Sequence, residues 1–152
     1  LARDARGNII DYVYDNRGRL TSLIFINGAN PAESHTVTYV YTGPGGVEDN
    51  SGNVRAIIDE NGNRIEFDYD DANQLIETRY FVISDLTGQP ITYTERNEFD
   101  AEGNVVLQRN RNGVVTKHEY DATNRPIMRI DDVDVNACIG QCDLYFVDFV
   151  VA

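Results

Sequence analysis

The chain has 152 residues, 13 of them Lys or Arg and 25 Asp or Glu, for a formal charge of −12. The length suits one domain or one run of repeats, and 41% hydrophobic with 10% aromatic residues excludes a disordered or collagen-like chain. The acidic balance argues against nucleic acid and anionic membranes as partners, because binding either needs Lys and Arg to displace counterions. No apolar run approaches the roughly 20 residues that span a bilayer, so no membrane insertion is expected. There is no signal-peptide pattern, and a start at Leu1 suits a processed chain or an excised piece.

In chain order, the first element is a turn, Asp4-x-x-Gly7-Asn8, in which Asp bonds its own backbone and Gly takes the left-handed position. A strand follows, Ile9-Ile10-Asp11-Tyr12-Val13-Tyr14, then Asp15 and a second turn residue, Gly18. Tyr39-Val40-Tyr41 is a degenerate copy of Tyr12-Val13-Tyr14, with Thr42 in place of the Asp. Gly62-Asn63 opens a gapless copy ending in Phe67-Asp68-Tyr69-Asp70, with Asn73 as its second turn residue. Phe99-Asp100 with Gly103-Asn104 is a variant, and Gly113 opens the last copy, which ends in Tyr120-Asp121 and continues to Asn124. Asn61-Gly62 and Asn112-Gly113 are predicted to form two-residue hairpin turns.

The anchors Tyr14, Tyr41, Tyr69, Phe99 and Tyr120 are separated by 27, 28, 30 and 21 residues, so one unit of about 21 residues with loop insertions accounts for every interval. Each unit reads as two short strands and two tight turns, because the apolar period is two and turn signals recur about every 8–12 residues. The prediction is an all-β fold, an extended and curled antiparallel sheet of about ten or eleven strands in up-and-down order. The repeat sheet is assigned to residues 1–134, and residues 135–152 hold a cysteine-containing turn and an apolar strand.

Alternate strand residues face opposite sides. One side therefore collects an aromatic ladder of Tyr12, Tyr14, Tyr39, Tyr41, Phe67, Tyr69, Phe99, His118 and Tyr120. The other side collects Asp11, Arg64, Glu66, Asp68, Lys117 and Glu119. The ladder is expected to turn inward and the charged side to stay wet.

Gly7-Asn8, Tyr14-Asp15 and Gly18-Arg19-Leu20-Thr21 together resemble the YD repeat of the Rhs family, with copies over most of residues 4–130. The resemblance implies a long β-sheet wound as a spiral strip, which in large members forms a toxin-enclosing shell or a cell-surface barrel. It also implies secretion or surface display and no enzymatic activity in the repeats. No match to the segment that ends such shells and carries self-cleaving aspartates is present, so neither encapsulation nor cleavage transfers to particular residues. In a secreted family the even cysteine count makes Cys138 and Cys142 a candidate small-loop disulfide, with reduced thiols as the alternative.

No catalytic or metal site is expected. His118 occupies the repeat position filled by Tyr12 and Phe67, and Ser34-His35 has neither an orienting third group nor an oxyanion loop. Cys138 and Cys142 lack two further zinc ligands at suitable spacing. The acidic turns at Asp49 and Asp59 lack the glutamate of a calcium loop. No cofactor is implied.

The tail Asp143–Ala152 is apolar on both pleat faces, which marks a buried strand or a hydrophobic edge seeking a partner. Leu144, Phe146, Phe149 and Val151 are thus candidates for an assembly strand. The leading expectation is a non-enzymatic structural protein, extracellular or on the cell surface, that joins copies of itself or flanking YD repeats through sheet edges. The alternatives are a segment of a toxin-encapsulating shell, and an adhesin whose tyrosines stack on glycans.

Overall fold

The computed structural model describes residues 2–43, 46–48, 51–84 and 86–132. Cys138 and Cys142, and the assembly-strand candidates Leu144, Phe146, Phe149 and Val151, lie outside the described residues.

The fold is a single all-β sheet of eleven strands, ordered β1 to β11 as in the chain, and every neighbouring pair is antiparallel. The strands are β1 (Ala2–Arg3), β2 (Ile9–Tyr14), β3 (Leu20–Ile26), β4 (His35–Val40), β5 (Ala56–Ile58) and β6 (Arg64–Tyr69). They continue as β7 (Leu75–Ile83), β8 (Pro90–Phe99), β9 (Val105–Arg109), β10 (Val115–Tyr120) and β11 (Pro126–Asp131). The sheet does not close into a barrel, and among the described residues β1 and β11 are its outermost strands. Five hairpins, β2–β3, β4–β5, β6–β7, β8–β9 and β10–β11, each carry one anchor at or just after the end of their first strand. The unequal anchor spacings come from the connection at 27–34, the insertion at 41–55, and the longer strands β7 and β8.

Among the described residues one turn design occurs seven times, and it is not a two-residue turn. The N–H of Asp59 donates to the Asn63 carbonyl, the N–H of Gly62 donates to the Asp59 carbonyl, and Asp59 Oδ1 accepts from the N–H groups of Asn61 and Asn63. Gly62 has φ +83° while Asn61 stays out of the left-handed region. This is a three-residue loop, a type I turn closed by a left-handed residue. The expectation of two-residue turns at Asn61-Gly62 and Asn112-Gly113 is therefore corrected: a leading Asp or Asn that binds its own backbone stabilises type I geometry. The same bonds begin at Asp4, Asp15, Asp70, Asp100, Asn110 and Asp121.

Past four of these turns the register slips by one residue at the anchor: Tyr14 faces Leu20, Tyr69 faces Leu75, Phe99 faces Val105 and Tyr120 faces Pro126. The extra residues are Thr21, Ile76, Val106 and Ile127. A bulge bends its strand and raises the local twist, so repeating it at one repeat position curls the sheet.

The sheet has no second layer among the described residues. Ala56 and Val115 are the only buried hydrophobic residues there, and both lie on the charged side, opposite Glu66 and Arg109 respectively. A sheet normally buries one face against another element. Here both faces are half-open.

Candidate functional site: the seam between repeats

Each hairpin after the first is locked to the one before it by a bond outside the strand ladder. Tyr41 Oη donates to the Leu20 carbonyl at 2.9 Å, Tyr69 Oη to Val54 at 3.2 Å and Tyr120 Oη to Val105 at 3.0 Å. The acceptor is the residue at or just before the start of the preceding hairpin's second strand. It lies one position beyond the residue that faces the anchor in extended register. Phe99 has no hydroxyl, and there Asn97, two residues earlier on the same face, supplies the donor: its Nδ2 reaches the Leu75 carbonyl at 3.1 Å. All four seams among the described residues are therefore capped, three by a phenol and one by an amide.

Two seams add a cation–π contact. The Arg19 guanidinium lies 4.4 Å from the centre of the Tyr41 ring, and Arg55 lies 5.5 Å from that of Tyr69. Arg19 is aimed by its own turn, since its Nε donates to Asp15 Oδ2 at 2.7 Å. Burial pushes the Tyr41 hydroxyl above its ordinary value, so it remains a protonated donor at neutral pH.

The other ladder residues stand as follows. Tyr39 and Phe67 are half-buried, opposite Ile57 and Thr78 respectively. His118 is half-buried opposite Arg129. Tyr12 and Tyr14 are 43% and 57% exposed, so the first repeat does not turn its rings inward. His35, not assigned to the ladder, packs against Phe25 with ring centres 6.0 Å apart.

The opposite side holds a feature that the sequence reading treated as a wet surface. Cross-strand register sets Glu66 opposite Arg79, Asp68 opposite Glu77, and Glu77 opposite Arg96. Arg79 contacts Glu66 at 3.1 Å, Asp68 at 2.7 Å, and Glu77. Arg64 adds a bond to Glu66 at 2.7 Å, and Arg96 one to Glu77 at 2.5 Å. Burial pulls the Arg79 guanidinium down, but its bonds to Glu77, Asp68 and Glu66 outweigh that and raise it above its usual value. It is a permanent cation and moves no proton. The depression beside it, about 350 Å³, is lined largely by these mutually paired charges.

The turn carboxylates are equally committed. Asp59 Oδ2 accepts from Asn63 Nδ2 at 2.8 Å, while Oδ1 takes the two turn N–H groups, leaving no outward-facing ligand set. No group of three or more His, Cys, Asp or Glu suited to a metal occurs among the described residues.

The side-chain amide of the Asn four residues on holds Asp4, Asp59 and Asp100 below the ordinary aspartate value. The Arg19 N–H does the same for Asp15, and the Thr123 hydroxyl followed by Arg125 does it for Asp121. A depressed carboxylate stabilises the fold fully above its ordinary unfolded value and loses that contribution as pH falls through its folded value. The relief of self-repulsion acts the other way as the −12 charge is titrated. The melting temperature by circular dichroism should therefore hold or rise from pH 7 to about 4.5, then drop below the ordinary aspartate value near 3.9. A flat profile from pH 4 to 2.5 would show that the turns carry no such linkage.

A model of the RHS repeat matches residues 49–81 and 99–134. Comparison with curated proteins gave no match. The RHS repeat is in general a structural unit, not a catalytic one. The matched stretches contain β5, β6 and most of β7, and then β9–β11, two places where the anchor, turn, bulge and carbonyl of the seam recur, and they support assignment to the Rhs/YD-repeat family.

Proposed function

We propose that the chain is a non-enzymatic structural strip, extracellular or surface-displayed, that associates through its sheet edges into a filament, tube or larger shell. The observation that carries this reading is an open eleven-stranded sheet with two edges and only two buried hydrophobic residues among those described. Such a sheet gains most by continuing into another sheet, because main-chain bonds at an edge are satisfied by any strand of matching register. RHS repeats typically belong to extracellular or surface proteins, which supports the location. The committed Asp turns and paired arginine network support a scaffold over an enzyme, since their polar groups are spent on each other.

A segment of a toxin-encapsulating shell is the second reading, favoured by the curl that the repeated bulges build into the sheet. Sedimentation velocity of the 1–152 chain from micromolar to millimolar concentration tests the leading reading. A weight-average coefficient rising with concentration is expected, and a monomer throughout would overturn it.

A further inference from the structure

One stretch of strand edge lies open inside the sheet, away from both outermost strands. β8 pairs with β7 from Pro90 through Arg96, but β9 covers its other side only from Arg96 to Phe99. β9 ends at Arg109, and Asn110 starts the turn to β10, its N–H donating to the Val114 carbonyl at 3.0 Å. The β7–β8 hairpin therefore projects past the β9–β10 turn. On that side, residues 90–95 have no strand beside them among the described residues. The long interval between Tyr69 and Phe99 is this projection, and insertions within repeats often form a binding face.

Main-chain parity identifies the free groups. The Ser84 N–H donates to the Gln89 carbonyl at 2.9 Å, and the Asp100 N–H to the Asn104 carbonyl at 3.0 Å. Alternation counted from either end agrees: Ile91, Tyr93 and Glu95 turn their N–H and C=O toward β7, and Thr92 and Thr94 turn theirs away. Pro90 stands at an outward position, where a strand tolerates a residue without an N–H. Thr92 and Tyr93 are exposed, and no charge guards the edge between Pro90 and Glu95.

The surrounding side chains set the chemistry of what fits. On the charged side, Thr94 lies opposite Arg79 and two residues from Arg96, and Arg96 lies opposite Arg109. Arg79 and Arg96 are ion-paired, whereas Arg109 is exposed and has no ion pair among the described residues. Like charges directly opposite repel, so a carboxylate beside Thr94 gains from Arg109 and relieves the Arg96–Arg109 pair. On the other side, Ile91 and Tyr93 offer apolar contacts to alternate residues of an added strand.

We propose that residues 90–95 are a docking edge for an extended peptide of a partner protein, which continues the line of β9 as an antiparallel strand. The main-chain groups of Thr92 and Thr94 bind its backbone, an acidic residue sits opposite Thr94, and β-branched or aromatic residues sit opposite Tyr93 and Ile91. The site uses neither outermost strand, so it stands or falls separately from association through them.

The test is amide exchange of the full 1–152 chain, followed by NMR with and without the peptide acetyl-Val-Asp-Val-Thr-Val-Thr-amide. In the chain alone, Thr92 and Thr94 should exchange fast and Tyr93 slowly. Millimolar peptide should slow both threonine amides. The same peptide with Lys in place of Asp should bind about tenfold more weakly. Thr92→Pro should abolish binding and keep the wild-type circular dichroism, because the N–H it removes points away from β7. Arg109→Glu, on a different strand, should reverse the preference between the two peptides, and it keeps the test decisive if Thr92→Pro unfolds the hairpin. Protection of Thr92 and Thr94 before any peptide is added would overturn the site, with another segment of the chain or a second copy then its occupant. Unchanged exchange at these two amides with peptide, or binding indifferent to Arg109→Glu, would equally defeat it.

Discussion

Arg79→Leu should destabilise the chain by about 2 kcal/mol in urea denaturation, between the 0–1 of an exposed ion pair and the 3–5 of a broken buried one. Arg79 is 27% exposed and is the cation shared by Glu66, Asp68 and Glu77. Removing it leaves three carboxylates converging, offset among the described residues by Arg64, Arg96 and a 3.6 Å contact from Arg55 to Asp68. The cost is therefore mostly repulsion left behind, not attraction lost. Adding Glu66→Gln and Glu77→Gln to Arg79→Leu should recover more than half of the loss. A loss under about 0.5 kcal/mol would place the network in the class of ordinary surface pairs.

Tyr69→Ala should cost about 3 kcal/mol and Tyr69→Phe about 1, the first removing ring and hydroxyl, the second only the bond to Val54. The fourth seam allows a sharper version. Asn97→Ala should cost about as much as Tyr69→Phe, because it uncaps the Leu75 carbonyl. Phe99→Tyr alone should gain little, since that carbonyl is already taken. In the Asn97→Ala background, however, Phe99→Tyr should restore most of the loss, because a phenol there meets the same acceptor as at the other three seams. Additive effects of the two changes would mean that amide and phenol do not share one role.

These effects show where the sequence was readable. Periodicity of two, the Asp-x-x-Gly-Asn turns and the recurring anchors were enough for an all-β, up-and-down sheet of ten or eleven strands, and eleven are present. Local signals sufficed because nearest-neighbour hairpins are local structures. The turn type at Asn61-Gly62 was misread because that dipeptide suits both a two-residue loop and the closing half of a three-residue one. Only the contest between them, decided by Asp59 binding two N–H groups, fixes the answer.

Features that depend on register across strands were not legible. Thr21, Ile76, Val106 and Ile127 look like ordinary strand residues, and nothing local marks them as bulges. Glu66 and Arg79 are thirteen positions apart, and their pairing follows only once the bulge sets the alignment of β6 on β7. The exchange of a phenol at one seam for Asn97 at another was invisible for the same reason. Two residues that share a role need not share a repeat position.

The claim that this strip continues itself from one edge to the other has a direct physical measure. Eleven strands at the usual 4.7–4.9 Å spacing advance about 50 Å per copy along the stacking direction, somewhat less with curl. Negative-stain electron microscopy of the concentrated 1–152 chain should show rods, rings or short filaments with an axial repeat of about 50 Å. Discrete monomers, or side-by-side dimers with no such repeat, would contradict the account.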